Sequence, residues 1–282
     1  MISVIMSCHN SNKEYLKKAV LSILNQTYED FEFLIADNGV DFDLKEFLNQ
    51  FKDKRIKYID NGGNIGAAVS YDKLADLAQG EYIAIQDHDD ISSPYRLQIQ
   101  AIALDFYKDI QSVSGRIMFK GSKKDGKIDG ESMEPERVKE ELIFWQPIKQ
   151  PTFMKRREFA QKYKYNPDYF IYDYEFWSRT RDIPHLIIDQ VLLEYRKSEL
   201  NSSKERAQKV RKEHAEIIQR NLLLLGITLP IETCKMLDPY NHEKQPAIFL
   251  NYFILSQDKL LKHISFELFT RKITEMSKKC LL

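Results

Sequence analysis

Residues 80–97 read GEYIAIQDHDDISSPYRL. A strand-like run at 81–85 halts at Gln86, and Asp87, His88, Asp89 and Asp90 follow at once. An apolar run this short, closed by polar residues, is the mark of a strand buried on both faces. Three carboxylates within four residues repel one another unless a cation or solvent separates them. Mg2+ or Mn2+ would relieve that repulsion, because these hard cations take few protein carboxylates and complete their shell on phosphate oxygens and water. A solvated acidic turn ahead of a helix at Pro94 would relieve it equally.

Upstream, apolar runs at residues 2–6, 31–36 and 55–59 alternate with helical periods at 15–24, 44–51 and 67–78. Alternation of this kind predicts an α/β fold, Rossmann-like, with a mainly parallel sheet covered on both faces. Such sheets bind ligands beyond the carboxyl ends of their strands. That directs attention to Ser7, His9 and Asn10, to Asp37, and to the acidic cluster. Downstream, a helix to about residue 107, a strand at 112–119, a polar loop at 121–130 and two short apolar runs within 186–195 are expected. From 203 onward the period is helical until Gly226 and Pro230 stop it. A boundary near Ser202 divides a catalytic region, 1–202, into halves at 1–110 and 111–202, with a helical C-terminal region at 203–282.

The composition narrows the function classes. The 282 residues carry 42 basic and 42 acidic side chains, a formal charge of +0, and are 43% apolar. A globular chain with no overall positive field is not built to hold long nucleic acid. Residues 203–282 contain 14 Lys or Arg against 9 Asp or Glu, a bias of +5, which leaves the first 202 residues at −5. The apolar stretch at 247–257 is too short for a bilayer, which needs about 20 residues. The opening residues lack a basic region and a cleavage site, so a cytoplasmic location is expected. Cys8, Cys234 and Cys280 are too far apart in sequence for a zinc or redox motif. GxxxxGK[ST] is absent, and the glycines at 62, 63 and 66 follow the third strand instead of the first. A sugar nucleotidyltransferase is disfavoured because residues 7–12 hold neither a glycine nor a base for a triphosphate. A non-catalytic sugar-nucleotide-binding or scaffold protein remains open.

Four segments taken together are specific: SCHN after the first strand, LNQTYEDFEFLIADNG at 24–39, RIKYIDNGGNIGAA at 55–68 and the acidic stretch itself. They resemble the nucleotide-sugar half of a family 2 glycosyltransferase of the GT-A fold. QPTFMKR, YDYEFWSR and LLEYRKSELNSS resemble the acceptor half, so the likeness spans about residues 1–202. Within the family the chain looks most like bacterial lipooligosaccharide and capsule transferases, including β-1,3-N-acetylglucosaminyltransferases. It lacks the QxxRW motif and membrane helices of the long synthases, so the resemblance implies addition of one sugar at a time.

By position, the resemblance implies that Asp37 contacts the uracil of a UDP-sugar (UDP-GlcNAc, UDP-GalNAc or UDP-Gal), with Ser7, His9 and Asn10 around the base and Asn64 and Gly66 approaching the nucleotide. Asp87 would face nucleotide and sugar, and Asp89 and Asp90 a Mn2+ or Mg2+ ion. Asp173 matches the catalytic carboxylate, although Tyr172 replaces the glutamate before it. Ser198 stands where the family often supplies a histidine, which thins the metal shell. Acceptance of a proton from the acceptor hydroxyl by Asp173 would give single displacement and inversion. Glu175, about 200° around a helix from Asp173, is the rival base. Trp177, on nearly the face of Asp173, either holds the acceptor or packs in the core.

One expectation concerns the tail. Phe266, Phe269, Ile273, Met276 and Cys280 recur at helical spacing beside Arg271, Lys272, Lys278 and Lys279. This is the pattern of an interfacial helix on an anionic membrane surface, useful for a lipid-linked glycan acceptor. It is also the pattern of a helix docked on a domain, with its lysines as a solvated face.

Overall fold

The computed structural model describes residues 1–121, 124–196, 204–239, 241 and 248–280, with the side chains of 204, 205, 248 and 249 left aside. By its internal contacts the chain forms two compact units. The first comprises Met1–Pro135, Ile148–Pro167 and Ile183–Lys197, and the second Glu136–Pro147, Asp168–Asp182 and Ser198–Leu282. The cut drawn from sequence at Ser202 falls outside the described residues. Two segments before it, 136–147 and 168–182, pack with the tail.

The first unit begins β1 (Ile2–Cys8), α1 (Lys13–Leu24), β2 (Phe31–Asp37), α2 (Leu44–Asn49), β3 (Ile56–Asp60), α3 (Ala67–Leu77) and β4 (Tyr82–Ile85). Next come β5 (Ile91–Ser92), α4 (Arg96–Phe106), β6 (Ser112–Lys120) and β7 (Ile128–Asp129). Later segments add β8 (Met154–Arg156), α6 (Arg157–Lys162) and β9 (His185–Arg196), while α5 (Pro135–Glu141) leads into the second unit. Among the described residues the strands join in one sheet, ordered β3-β2-β1-β4-β8-β6-β9-β5, with β7 on β6. The β3-β2-β1-β4 half is parallel, because a helix after each of β1, β2 and β3 returns the chain to the same end. Beyond β4 the sheet is mixed: β8 runs antiparallel to β4 and β6, and β9 parallel to β6. Every residue of β1 is buried, and Val4, Met6, Phe33 and Ile35 pack with Leu16, Val20 and Ile23 of α1. The two apolar runs expected within 186–195 are one strand, whose exposed middle, Asp189 and Gln190, lies beside register shifts in the pairing with β6.

The second unit holds α7 (Tyr172–Arg179), α8 (Lys204–Leu224), α9 (Ile231–Leu237), α10 (Ile248–Leu255), α11 (Gln257–Leu260) and α12 (Phe266–Ser277). Its core joins Phe144 and Ile143 to Ile218, Leu222, Phe253, Phe269 and Met276. Part of the stripe whose pattern suits a membrane surface is therefore engaged within the unit. Phe269 stacks on Phe253 at 5.2 Å and Met276 is fully buried, while Arg271 pairs with the buried Glu141 and Lys272 with Glu275. Lys279 donates to the carbonyls of Met236 and Asp238. Most of this apolar face meets other helices of its own unit, as a docked helix does, while Phe266 at its start is exposed. Among the described residues no helix is long and apolar enough to cross a membrane.

Candidate active site

In the first unit the polar residues after β1, β2 and β3 are tied to one another. The Nδ1 of His9 lies 3.1 Å from the carbonyl oxygens of both Asn38 and Gly39, so this nitrogen carries the proton. Nε2 is then the acceptor, 3.0 Å from the amide of Asn10 and 3.4 Å from that of Asn64. Asn10 sits at φ +47°, a left-handed conformation that asparagine tolerates better than most residues. Gly39 has φ +92°, and a Cβ there would stand 3.3 Å from the Asn64 nitrogen and 3.5 Å from the His9 ring. Asp37 is half-buried and its Oδ1 accepts from the amides of Gly39 and Val40, fixing the turn after β2. Asn38, buried, accepts from Ile65 N at 3.0 Å and so holds the exposed loop that carries Asn64 and Gly66. Gly66, at φ +83°, opens α3. Ser7 is buried and donates to Ser70 of α3 at 2.7 Å, so its hydroxyl braces β1 against that helix.

The next residue of α3 reaches the acidic cluster: the Tyr71 hydroxyl donates to Asp87 Oδ1 at 2.7 Å. Gln86 cinches the turn by donating to the carbonyls of Asp87 and Asp90, both at 2.9 Å. Beneath it lies Arg96, fully buried, bonded to Ser92 Oγ at 2.9 Å, Gln100 Oε1 at 3.1 Å and the carbonyl of Ile85 at 2.5 Å. Burial lowers its guanidinium to about 10, opposed by Asp87 and Asp90, so it stays cationic at neutral pH. Asp90 is fully buried, with Oδ1 accepting from Arg196 N at 2.7 Å and Oδ2 lacking a partner among the described residues. Burial, then the charges of Asp87 and Asp89, push its carboxyl well above the usual range. Asp87 is raised as well, by burial first, with the Tyr71 bond opposing. The Arg196 guanidinium stacks on Tyr15 at 3.9 Å and donates through Nε to the Asp89 carbonyl at 3.3 Å.

These residues fit a divalent cation in one respect: two carboxyls held above their ordinary range and an orphaned buried oxygen are what a nearby positive charge would compensate. Among the described residues no three His, Cys, Asp or Glu side chains converge as a metal cage. Asp89 and Asp90 would therefore supply a minority of the ligands. Ser198 lies outside the described residues.

In the second unit, Asp173 is half-buried in the first turn of α7. Its Oδ1 accepts from Tyr174 N at 2.9 Å and its Oδ2 from Gln146 Nε2 at 3.2 Å. The rest of α7 faces α8. Glu213 accepts from Ile171 N at 3.0 Å, Tyr174 stacks on His214 at 4.7 Å, and Ser178 donates to Asn221 at 2.8 Å. Glu175 is buried, paired with Arg220 at 2.9 Å and Arg179 at 3.2 Å, which makes it a structural ion pair. Trp177 is fully buried against Phe176, so the acceptor role expected for it is corrected: no sugar reaches its ring. Sequence reasoning passed over Tyr71, Arg96, Gln146 and Arg196. The signal for Arg96 was present, since the acidic stretch ends in PYRL.

Comparison with known proteins gives the family and the fold. The sequence pattern of the family described as Glycosyl transferase family 2 matches residues 3–182. An uncharacterized glycosyltransferase of Methanocaldococcus jannaschii is 35% identical over 207 residues, 70% of each chain. The O-antigen biosynthesis glycosyltransferase WbnJ of Escherichia coli is 31% identical over 207 residues, covering 70% of this chain and 79% of its own. The crystal structure of Staphylococcus aureus TarS 1-349 in complex with UDP-GlcNAc superposes with a TM-score of 0.60 at 15% identity, covering 97% of this chain and 79% of that one. At that identity the likeness is one of fold, the GT-A fold.

Proposed function

Since the chain belongs to glycosyl transferase family 2 and is a glycosyltransferase, we infer that it moves one sugar from a UDP-sugar to a glycan acceptor in bacterial surface-polysaccharide or lipooligosaccharide synthesis. UDP-GlcNAc, UDP-GalNAc and UDP-Gal are the candidate donors. The observation that carries this reading is the joining, through α3, of the polar strand ends to the buried acidic turn: Ser70 holds Ser7 while Tyr71 holds Asp87. The O-antigen relative and the UDP-GlcNAc-bound structural neighbour support the polysaccharide context and the donor class.

In this reading Asp37, His9, Asn10 and Asn64 hold the base and Asp87 meets the nucleotide and sugar. Asp89 and Asp90 would hold Mn2+ or Mg2+, which as a Lewis acid offsets the negative charge that grows on the departing diphosphate. Asp173 accepts the acceptor's hydroxyl proton as the new bond to the anomeric carbon forms and the bond to the diphosphate breaks. One displacement inverts that centre, so an α-linked donor gives a β-glycoside. Gln146 and the Tyr174 amide keep the carboxylate oriented, and the paired Glu175 does not compete for the proton. A cytoplasmic reaction belongs to the same reading. Of the α12 stripe, Phe269 and Met276 are buried in their own unit, while Phe266 is exposed.

The test is release of UDP from each of the three donors, with and without Mn2+ or Mg2+, in wild type and Asp89→Asn. Turnover that needs the cation and falls at least about 100-fold in the variant, with an unchanged melting curve, is expected. Tight donor binding without turnover would identify a non-catalytic binding protein instead.

A further inference from the structure

We propose that Arg196 grips the diphosphate of the donor, as a permanent positive charge beside the one that a cation brings. This rests on the transferase reading and names a further residue of the donor site. Backbone pairing sets its place. β5 follows the acidic turn directly and runs antiparallel to β9, with Ile91 opposite Glu194 and Ser92 opposite Leu193. Carried back two residues, that register puts Arg196, the last residue of β9, opposite Asp89. The contacts agree: Arg196 N donates to Asp90 Oδ1 at 2.7 Å and its Nε to the Asp89 carbonyl at 3.3 Å. From the other side, the guanidinium lies 3.9 Å from the ring centroid of Tyr15, in the first turn of α1. That helix starts from the loop that carries His9 and Asn10, so the guanidinium touches both the helix that follows the proposed base loop and the acidic turn. A diphosphate has to cross the same interval.

What surrounds this guanidinium orients it without neutralising it. A ring face and a peptide carbonyl hold a cation in place and leave its charge intact. Among the described residues Arg196 forms no ion pair. Arg179, Arg220 and Arg271 differ, each being bound to a buried glutamate. The residue is half-buried, and its Nε is engaged while its two Nη groups make no hydrogen bond within the described residues. A planar fork of N–H donors matches two phosphate oxygens at once. Its charge also differs in kind from that of a cation held by Asp89 and Asp90, because it stays when the metal is removed.

Calorimetry on the full chain with UDP and with uridine, first in EDTA and then in Mg2+, tests this. Wild type is expected to prefer UDP to uridine in both conditions. Arg196→Gln should lose about tenfold to a hundredfold of its UDP affinity in either condition, with uridine unchanged, since it removes a charge-assisted bond and leaves the base loop alone. Arg196→Lys, which keeps the charge but not the fork, should recover part of that loss. Tyr15→Leu, which removes the ring behind the guanidinium, should lose part of the preference while the Arg196 amide still holds Asp90. An unchanged preference in Arg196→Gln, an equal loss for UDP and uridine, or a preference confined to Mg2+ overturns the proposal. Absence of UDP binding in both conditions overturns it together with the transferase reading. A wild type that shows the preference and loses it in Arg196→Gln, yet turns over no UDP-sugar, strikes the transferase reading and leaves the diphosphate site standing.

Discussion

The two carboxylate regions of this molecule are held by different means. At the strand ends of the first unit, acids sit on a turn that several elements hold at once: Gln86 bonds within the turn, Tyr71 of α3 bonds Asp87, the Arg196 amide of β9 bonds Asp90, and the buried Arg96 of α4 lies beneath. In the second unit, Asp173 sits on a regular helix that Glu213, His214 and Asn221, some 40 residues later in the chain, hold through Ile171, Tyr174 and Ser178, while Gln146 and the Tyr174 amide bond its carboxylate. On the turn the acids have different partners, a hydroxyl for Asp87 and a backbone amide for Asp90. A helix separates its acids by angle, so Asp173 and Glu175, two residues apart, take opposite roles: one half-exposed, the other buried in an ion pair.

The largest expected break in this contrast is at Arg96. Arg96→Met removes the buried cation beneath Asp87 and Asp90 and leaves the Ile85 carbonyl without its donor, at a cost of about 3–5 kcal/mol. Urea unfolding should show it as a lower midpoint. An unchanged midpoint would mean that the turn does not depend on that charge.

A smaller and pH-dependent effect belongs to the second unit. Burial depresses His214 from 6.5 to about 4, outweighing Asp238 at 3.6 Å, so the folded ring is neutral at pH 7. The unfolded chain takes up the proton first, so His214's contribution is complete above pH 6.5 and is lost as pH falls toward 4, by about 3 kcal/mol in all. His214→Phe should flatten that slope in thermal melts between pH 7 and 4. Equal slopes in variant and wild type would show that the ring is not buried neutral.

The same contrast governs what could be read from sequence. The β–α alternation through residue 85 and the acids after β4 were legible, because strand ends announce themselves by an abrupt change from apolar to polar residues. Which face of α7 is buried was not, since Arg220 and Asn221 reach it from far along the chain. For the same reason Trp177 and the α12 stripe read equally as surface or core until their partners, Phe176 and Phe253, were placed. That residues 136–147 join the tail had no sequence signal: an apolar run such as Ile143 and Phe144 records that something covers it and not what.

Asp173→Asn and Glu175→Gln, measured side by side for turnover of the UDP-sugar donor and for UDP affinity, test the division of labour on α7. Asp173→Asn keeps its shape but cannot take the proton, and its kcat should fall roughly 10²- to 10⁴-fold with UDP affinity unchanged. Glu175→Gln should melt lower, by about 1–3 kcal/mol, because it loses its charged bonds to Arg179 and Arg220, yet turn over normally per folded molecule. An inactive but folded Glu175→Gln beside a nearly normal Asp173→Asn would contradict the account, because the base would then be the acid that the structure buries.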